Sequence, residues 1–327
     1  MAKPRILSGM RPTGRLHLGH LVGALENWVR LQDEYESFFC IVDWHALTTN
    51  YESTGEIRSF IIDNALDYLA SGLDPNRSKI FVQSQVVEHA ELHLLLSMIT
   101  PLGWLERVPT YKEIMNELSG RDLHTYGFLG YPLLQSADIM VYRANAVPVG
   151  EDQVSHIELT REIARRFNHL YGPVFPEPQA LLTKVPKLPG TDGRKMSKSY
   201  GNAIALTEEP EIMKQTLRNM VTDPARKRRT DPGNPDVCPV GDYHKVFSDK
   251  NRMAEVDQGC RSAGIGCIEC KMWLFDSLQK KVGPIYERRQ ELESRKDDVS
   301  AILEDGAKRA KVAARETMEL VREAMKI

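Results

Sequence analysis

Short apolar runs alternate with stretches of helical length over the first 150 residues of the chain. Four of these runs are rich in β-branched and aromatic residues and have the pattern of strands: RILSG at 5–9, FFCIVDW at 38–44, KIFVQS at 79–84 and VPVG at 147–150. Helix-length connections between successive strands are typical of parallel sheets. The chain is therefore predicted to have an α/β fold that binds its ligands at the carboxyl ends of the strands.

The second half of the chain has a different character. The periodicity stops between 183 and 204, where PKLPGTDGRKMSKSYGN predicts a mobile, basic surface loop. From about 205 the pattern is helical, and the last helix carries a stripe with many small residues: Val299, Ile302, Leu303, Gly306, Ala310, Ala313, Thr317, Leu320, Val321 and Ala324. We therefore predict an α/β domain over 1–204 and a mainly helical domain over 205–327.

Composition and charge limit the class of protein. Of the 327 residues, 42% are apolar and 27% charged, which is typical of a soluble globular protein. There is no apolar run of membrane-spanning length and no N-terminal signal pattern, so we expect a cytoplasmic protein without a membrane span. The net charge of −2 provides no general attraction to nucleic acid, so an RNA site requires a local patch. The basic run at 226–229 is one candidate, although such runs are equally typical of a solvated face.

The stretch RPTGRLHLGH at 11–20 places two histidines beside a glycine at the start of a predicted helix. Imidazole N–H groups and the helix N-terminus both favour an anion such as phosphate. Gly19, between His17 and His20, would let a flat ring or a ribose approach the backbone. Taken alone, the two histidines are equally well explained as capping or packing groups.

A second motif, KMSKS at 195–199, lies in the predicted loop. Its two lysines and two serines could close over a triphosphate and neutralise the charge of a leaving group. A lone basic loop is also ordinary solvated surface. The two motifs in this order resemble the signature pair of the class I aminoacyl-tRNA synthetases. That resemblance implies Mg-ATP as a substrate and catalytic roles for His17, His20, Lys195 and Lys198.

The segment from 131 to 168 narrows the resemblance. It is similar to the amino-acid pocket and following helix of the tryptophanyl-tRNA synthetases, as are SGMRPTG at 8–14, VDWHALT at 42–48, GEDQ at 150–153 and the C-terminal helix from 305. The family implies a Rossmann-like catalytic domain and a helical domain that reads the tRNA anticodon. It also implies L-tryptophan, ATP and tRNA(Trp) as partners.

The same resemblance assigns residues to the two substrates. For ATP it implies Arg11, Pro12, Thr13, Gly19, His20, Gly150, Glu151, Asp152, Val185, Lys195, Met196, Ser197, Lys198 and Ser199. For tryptophan it implies Leu7, Gly9, His45, Tyr131, Gln135, Asp138, Val147, Val149 and Gln153.

Asp138 has the clearest physical rationale among these residues. A buried carboxylate only accepts hydrogen bonds, which suits the single donor of an indole ring. A tyrosine hydroxyl could also donate to it, and a helix cap is the alternative role. Gln135 is expected to hydrogen-bond toward Asp138, whereas family members often carry an apolar residue at that position.

Four of the five cysteines lie close together in the second half, at Cys238, Cys260, Cys267 and Cys270. Disulfides are not expected in the cytoplasm, and four thiolates can hold zinc or a 4Fe-4S cluster. Their C-x21-C-x6-C-x2-C spacing favours the cluster, and a subset of bacterial tryptophanyl enzymes carries similar cysteines as a 4Fe-4S site. Zinc and four free thiols remain as alternatives.

The resemblance also implies a homodimer, and the apolar segment ELHLLLSMI at 91–99 is a candidate for the contact. As sequence, it is equally a core helix. Other functions stay open: a tyrosyl-tRNA synthetase, an RNA-binding paralogue without catalysis, and a nucleotidyltransferase with another substrate. Intact His17, His20 and Lys195 argue against a protein that only binds RNA.

Overall fold

The computed structural model describes residues 3–117, 120, 122–182, 188–196 and 200–327. Within them, five strands form one parallel sheet in the order β3-β2-β1-β4-β5. The strands are β1 (Arg5–Met10), β2 (Glu36–Ile41), β3 (Ser78–Val82), β4 (Ala146–Val149) and β5 (Gln179–Leu182). The predicted α/β fold is confirmed, and each of the four predicted runs contains a strand, although the runs at 38–44 and 79–84 extend beyond the ends of β2 and β3.

The fifth strand was not predicted. It is a four-residue edge strand whose two end residues are exposed, so it lacks the continuous apolar run that marks a buried parallel strand.

Helices connect the strands and make up the rest of the described chain. In order they are α1 (Leu18–His20), α2 (Glu26–Glu34), α3 (Asp43–Asn50), α4 (Ile57–Ala70), α5 (Glu88–Ser97), α6 (Leu102–Glu106), α7 (Pro109–Glu117), α8 (Tyr126–Leu129), α9 (Tyr131–Val141), α10 (Val154–Tyr171), α11 (Pro210–Asn219), α12 (Pro239–Phe247), α13 (Lys250–Arg261), α14 (Cys267–Glu293) and α15 (Lys296–Met325). A π-helical turn at Leu21–Leu25 joins α1 to α2, and short 3₁₀ turns follow β3 (Gln83–Gln85) and β4 (Glu151–Gln153). None of the described helices combines the length and the apolar composition needed to cross a bilayer.

The chain forms two compact units that are not continuous in sequence. Unit 1 contains the described residues of Met1–Gly14, Ala24–Lys184 and Arg295–Ile327. Unit 2 contains those of Arg15–Gly23 and Val185–Ser294. These boundaries differ from the predicted division at 204 and 205, because the segment with the two histidines belongs to unit 2 and the last helix to unit 1.

The last helix, α15, packs on β3 and on helices α4, α5 and α9 of unit 1. Its buried side includes Val299, Leu303, Ala310 and Thr317, as predicted from the stripe of small residues. Gly306 explains the closeness of this packing, since a Cβ there would overlap the backbone of Ile80 in β3. The small residues therefore let a helix backbone lie directly against a strand. Val321 is buried as predicted, whereas Leu320, also predicted on the stripe, is exposed, and Met318 is buried on this turn.

From α11 onward unit 2 is mainly helical, with an irregular stretch over 220–238 between α11 and α12. Helix α14 packs against α11 and α12, and its buried residues Leu274, Leu278 and Val282 supply its apolar face. Helix α13 packs on α12.

Candidate functional site

The centre of unit 1 contains a carboxylate held by side chains from three other elements. Oδ1 of Asp138, on α9, lies 2.7 Å from Nδ1 of His89 on α5, and Oδ2 lies 2.9 Å from Nε2 of His45 on α3. The amide nitrogen of Gln83, directly after β3, lies 2.8 and 2.9 Å from the two oxygens. Asp138 is only 3% exposed, so these donors replace the water that would otherwise solvate its charge.

The hydrogen bonds determine the ionisation of Asp138. Burial by itself would raise the pKa of this carboxyl, but the charges and hydrogen bonds of His89 and His45 outweigh burial and lower the pKa below its usual range. The carboxylate is therefore ionised at any physiological pH and only accepts hydrogen bonds. This matches the acceptor role predicted for Asp138.

A second buried network lies in the same unit. The Thr110 hydroxyl is 2.9 Å from the Tyr131 hydroxyl and 2.8 Å from Nε2 of His156, and Nδ1 of His156 donates to Oε1 of Gln153 at 2.8 Å. Gln135 donates to the same Oε1 at 3.5 Å. Gln135 is predicted to bond toward Asp138, but in the structure it bonds to Gln153, which lies just before α10. Three predicted tryptophan-site residues are thus linked through Thr110 and His156.

His156 is neutral in this network. Burial, and secondarily the charge of His45, lower its pKa to about 4. Since the oxygen of Gln153 accepts from Nδ1, the other nitrogen carries the lone pair and accepts from Thr110. The tautomer of His156 is therefore fixed by its two neighbours.

The remaining residues predicted to contact tryptophan or ATP in unit 1 have clear structural surroundings. Leu7, Val147 and Val149 lie in the main hydrophobic core. A Cβ on Gly9 would come within 2.5 Å of the Cys40 carbonyl oxygen, so only glycine allows β1 to lie this close to β2. A Cβ on Gly150 would come within 2.7 Å of the Asp152 carboxylate, which folds back over the turn after β4.

The segment with the two histidines lies in unit 2, at the start of α1 as predicted. The backbone N–H of His17 donates to Nδ1 of His20 at 3.0 Å, and the two rings lie 3.7 Å apart. Because Nδ1 of His20 accepts, a neutral His20 carries its proton on Nε2. The space beside Gly19 is occupied by the His17 ring and by the sulfur of Met196, at 3.0 and 3.5 Å from where a Cβ would be.

The two signature motifs therefore meet within unit 2. The chain after the loop pairs with the chain before α1: Leu18 N–H donates to Ile204 at 3.0 Å, and Leu206 N–H donates to Leu16 at 2.8 Å. Lys195, in the loop, forms an antiparallel bridge with Pro189 and is exposed. Val185, Ser197, Lys198 and Ser199, also predicted for ATP, lie outside the described residues.

The four clustered cysteines converge in unit 2. Cys238, Cys260, Cys267 and Cys270 line one cavity of about 20 Å³ together with Arg226. Burial, and then the charges of the other three cysteines, raise the pKa of Cys270 to about 12, so four unliganded thiols cannot all ionise here. Across the part of the chain that the structure describes, no group of three or more His, Cys, Asp or Glu side chains is arranged to hold a metal ion.

Several residues of the site were not predicted from the sequence: Gln83, His89, Thr110, Tyr142 and His156. Gln83 is near the carboxyl end of the predicted run KIFVQS, the end of a parallel strand at which ligands are expected to bind. His89 and His156 lie on the buried faces of their helices. From the sequence alone, a histidine at such a position cannot be identified as a core residue or as part of a binding site.

Comparison with known proteins identifies the relatives of the chain. The profile of the family described as tRNA synthetases class I (W and Y) matches residues 1–282. The tryptophan–tRNA ligase of Thermotoga maritima is 56% identical over 325 residues, covering 99% of each chain, and that of Ralstonia nicotianae is 47% identical with the same coverage. The crystal structure of the tryptophanyl-tRNA synthetase from Campylobacter jejuni complexed with ADP and tryptophan superposes with a TM-score of 0.89 at 31% identity, covering 99% of this chain and all of that one.

The depressed pKa of His156 predicts a pH-dependent stability. An unfolded histidine binds a proton below its usual pKa of 6.5, whereas folded His156 resists protonation down to about 4. Unfolding therefore takes up a proton between these values, and the free energy of unfolding falls as the pH is lowered, by at most about 1.4 kcal/mol per pH unit from this residue. In His156→Gln this contribution is expected to disappear, which urea unfolding at several pH values would measure.

The matched control is His124→Gln, since His124 is exposed in a loop of the same unit. It should retain the pH dependence of the wild-type protein. An unchanged pH slope in His156→Gln would show that His156 titrates normally in the folded state.

Proposed function

The chain belongs to the class I tRNA synthetases for tryptophan and tyrosine, and from this premise we propose that it activates L-tryptophan with Mg-ATP and transfers the tryptophanyl group to tRNA(Trp). The observation that carries the proposal is the buried, ionised carboxylate of Asp138, an acceptor suited to the N–H of an indole ring. A tyrosine hydroxyl can also donate to a carboxylate, so the choice of tryptophan rests on the relatives named as tryptophan–tRNA ligases.

The reaction has two steps. An oxygen of the tryptophan carboxylate attacks the α-phosphorus of ATP, the bond to the β-phosphate breaks, and pyrophosphate leaves. A ribose hydroxyl at the 3′ end of tRNA then attacks the carbonyl carbon of tryptophanyl-adenylate, and AMP leaves. Neither step requires a protein nucleophile, so the protein contributes positioning and charge stabilisation.

We assign the phosphate chemistry to the two motifs that meet in unit 2. Since Nδ1 of His20 accepts from the backbone, Nε2 of the neutral ring carries the proton, and we assign this group to donate to an α-phosphate oxygen as charge develops. His17 acts beside it. Lys195 and Lys198 stabilise the departing pyrophosphate, and Mg²⁺ enters with ATP. The other ATP contacts are those that the family resemblance implies, from Arg11 to Ser199.

For tryptophan, we propose that Asp138 accepts a hydrogen bond from the indole N–H. His45 and Gln153 approach the amino and carboxylate groups of the tryptophan. The His156 network supports this arrangement because it fixes the orientation of Gln153. Functionally, we assign catalysis to 1–204 and anticodon binding to 205–327, with α15 also completing the packing of unit 1.

Exchange of labelled pyrophosphate into ATP tests the proposal. We expect exchange with tryptophan and none with tyrosine. Lys195→Ala should lower the exchange rate by about 10²-fold or more while tryptophan affinity stays near that of the wild type, because the lysine acts on the leaving group. The control is Lys227→Ala, which removes an exposed lysine from the same unit.

Exchange with tyrosine alone would identify a tyrosyl enzyme. Exchange with neither amino acid would favour the RNA-binding paralogue. An equal loss of rate and of tryptophan affinity in Lys195→Ala would contradict its assigned role.

We also propose a homodimer formed through an apolar surface on α5 and α6. In the segment predicted as a contact, Leu92 and Leu96 are buried, whereas Leu94 is 55% and Met98 69% exposed. Val87 and Leu102 extend this exposed apolar surface. Such a patch is typical of a protein–protein interface.

Met98→Glu is therefore expected to shift the protein from dimer to monomer, because a charge would be buried in the interface. Light scattering coupled to size exclusion measures the mass. Leu170→Glu, at an exposed leucine on α10, is the matched control and should leave the dimer intact. A wild-type monomer at micromolar concentration would overturn the proposal.

We further propose that the four cysteines hold a 4Fe-4S cluster, with zinc as the alternative. Two features support a metal centre: the four side chains line one cavity, and the buried cations Arg226 and Lys271 would offset the charge of four thiolates. The spacing favours the cluster, and either metal would require the cysteines to rearrange, since the described side chains are not arranged to hold an ion. Its role would be structural and on the RNA-binding side.

Anaerobically purified protein is expected to be brown and to contain about four iron atoms per chain. Cys238→Ser should lose the iron, since it removes one ligand, while Cys40→Ala in the sheet of unit 1 should retain it. Metal analysis by mass spectrometry measures both. Stoichiometric zinc without iron would support the alternative, and neither metal would leave four free thiols.

A further inference from the structure

The carboxylate of Asp138 is held partly by residues that have no exposed surface. Gln83, His89 and Tyr142 are all fully buried in unit 1. We propose that these three are positioning residues that hold the Asp138 carboxylate as the acceptor for the indole N–H, and so contribute to the choice of amino acid. This inference rests on the proposed function and deepens it.

The orientation of Gln83 is determined by its backbone neighbour. Its Oε1 accepts from the backbone N–H of Trp44 at 3.2 Å, so its amide nitrogen has to face the carboxylate. That nitrogen lies 2.8 and 2.9 Å from the two oxygens of Asp138. Gln83 therefore fixes the plane of the carboxylate relative to the end of β3.

His89 and Tyr142 form a second support. An ionised carboxylate has no proton, so Nδ1 of His89 donates to Asp138 at 2.7 Å. Nε2 of His89 lies 2.7 Å from the Tyr142 hydroxyl, which holds the ring from its other side. The Tyr142 ring itself stacks on Phe38 with centroids 4.3 Å apart, so the hydroxyl is at the end of a rigidly packed side chain.

The described donors surround the carboxylate. His45, His89 and Gln83 make four contacts with Asp138, two at each oxygen, and Gln83 makes two of them from one amide nitrogen. A carboxylate offers about four lone-pair positions, so an indole N–H has to take the place of one of these contacts, and in this proposal it replaces that of His45, which is assigned beside the substrate. Because Gln83 and His89 hold the carboxylate in one orientation, the acceptor direction offered to a ligand is fixed, and a ligand without an N–H makes no bond there.

An isosteric amino acid isolates this interaction. In β-(3-benzothienyl)-alanine a sulfur atom replaces the indole N–H with little change of shape. The ratio of kcat/KM for tryptophan to that for this analogue, measured by pyrophosphate exchange, reports the contribution of the N–H. A residue needed only for folding would lower both values together and leave the ratio unchanged.

His89→Phe removes a donor from Asp138, and Tyr142→Phe removes only the hydroxyl while keeping the ring packing. We expect the ratio to fall by about tenfold in His89→Phe, the equivalent of one hydrogen bond to a charged group. The fall should come from KM for tryptophan, with kcat near that of the wild type. Tyr142→Phe should shift the ratio in the same direction by less, and it keeps the test valid if His89→Phe does not fold.

Tyr171→Phe is the matched control, because Tyr171 packs on Phe167 at a distance from this network. It should leave the ratio unchanged. The inference would be overturned if Tyr142→Phe lowered kcat/KM equally for tryptophan and for the analogue, or if the ratio in the wild-type protein were near one. In either case, tryptophan-dependent exchange by the wild-type protein would still support the proposed function. If the wild-type protein showed no exchange with tryptophan, the proposed function and this inference would both be overturned.

Discussion

An ionised carboxylate inside a protein has to be hydrogen-bonded on every side, because the interior cannot solvate its charge. Asp138 meets this condition through Gln83, His89 and His45, which come from the end of β3, from α5 and from α3. Each donor must be in place for the charge to be tolerated. The position of one acidic group on α9 therefore constrains how three neighbouring elements of unit 1 pack, and the same constraint gives the site a fixed acceptor.

A different kind of constraint operates in unit 2. The histidine motif and the lysine motif are separated by about 175 residues, yet the chain around Leu18 pairs with the chain at Ile204, and Met196 lies beside Gly19. Backbone pairing therefore holds the two motifs together within unit 2.

The C-terminal helix shows how sequence position and packing can diverge. Helix α15 follows the helices of unit 2 in the chain, but its small residues allow it to lie against β3 in unit 1. Arginines along it add polar contacts: Arg315 pairs with Glu88 and Arg322 with Glu91 on α5. These pairs are partly exposed and contribute little stability, so the apolar stripe supplies most of the attachment.

The sequence by itself determined four of the five described strands, the helix that begins at the two histidines, and the motifs that carry the family resemblance. Local periodicity and short motifs encode these features, because neighbouring residues decide them. The tertiary structure alone decided which distant side chains meet. Gln135 bonds to Gln153 instead of Asp138, His89 and Tyr142 support the acceptor, and α15 returns to the sheet. These contacts depend on how elements far apart in the chain pack against each other. The packed arrangement is the one that buries apolar surface and hydrogen-bonds the buried charge, and it cannot be predicted from a local sequence pattern.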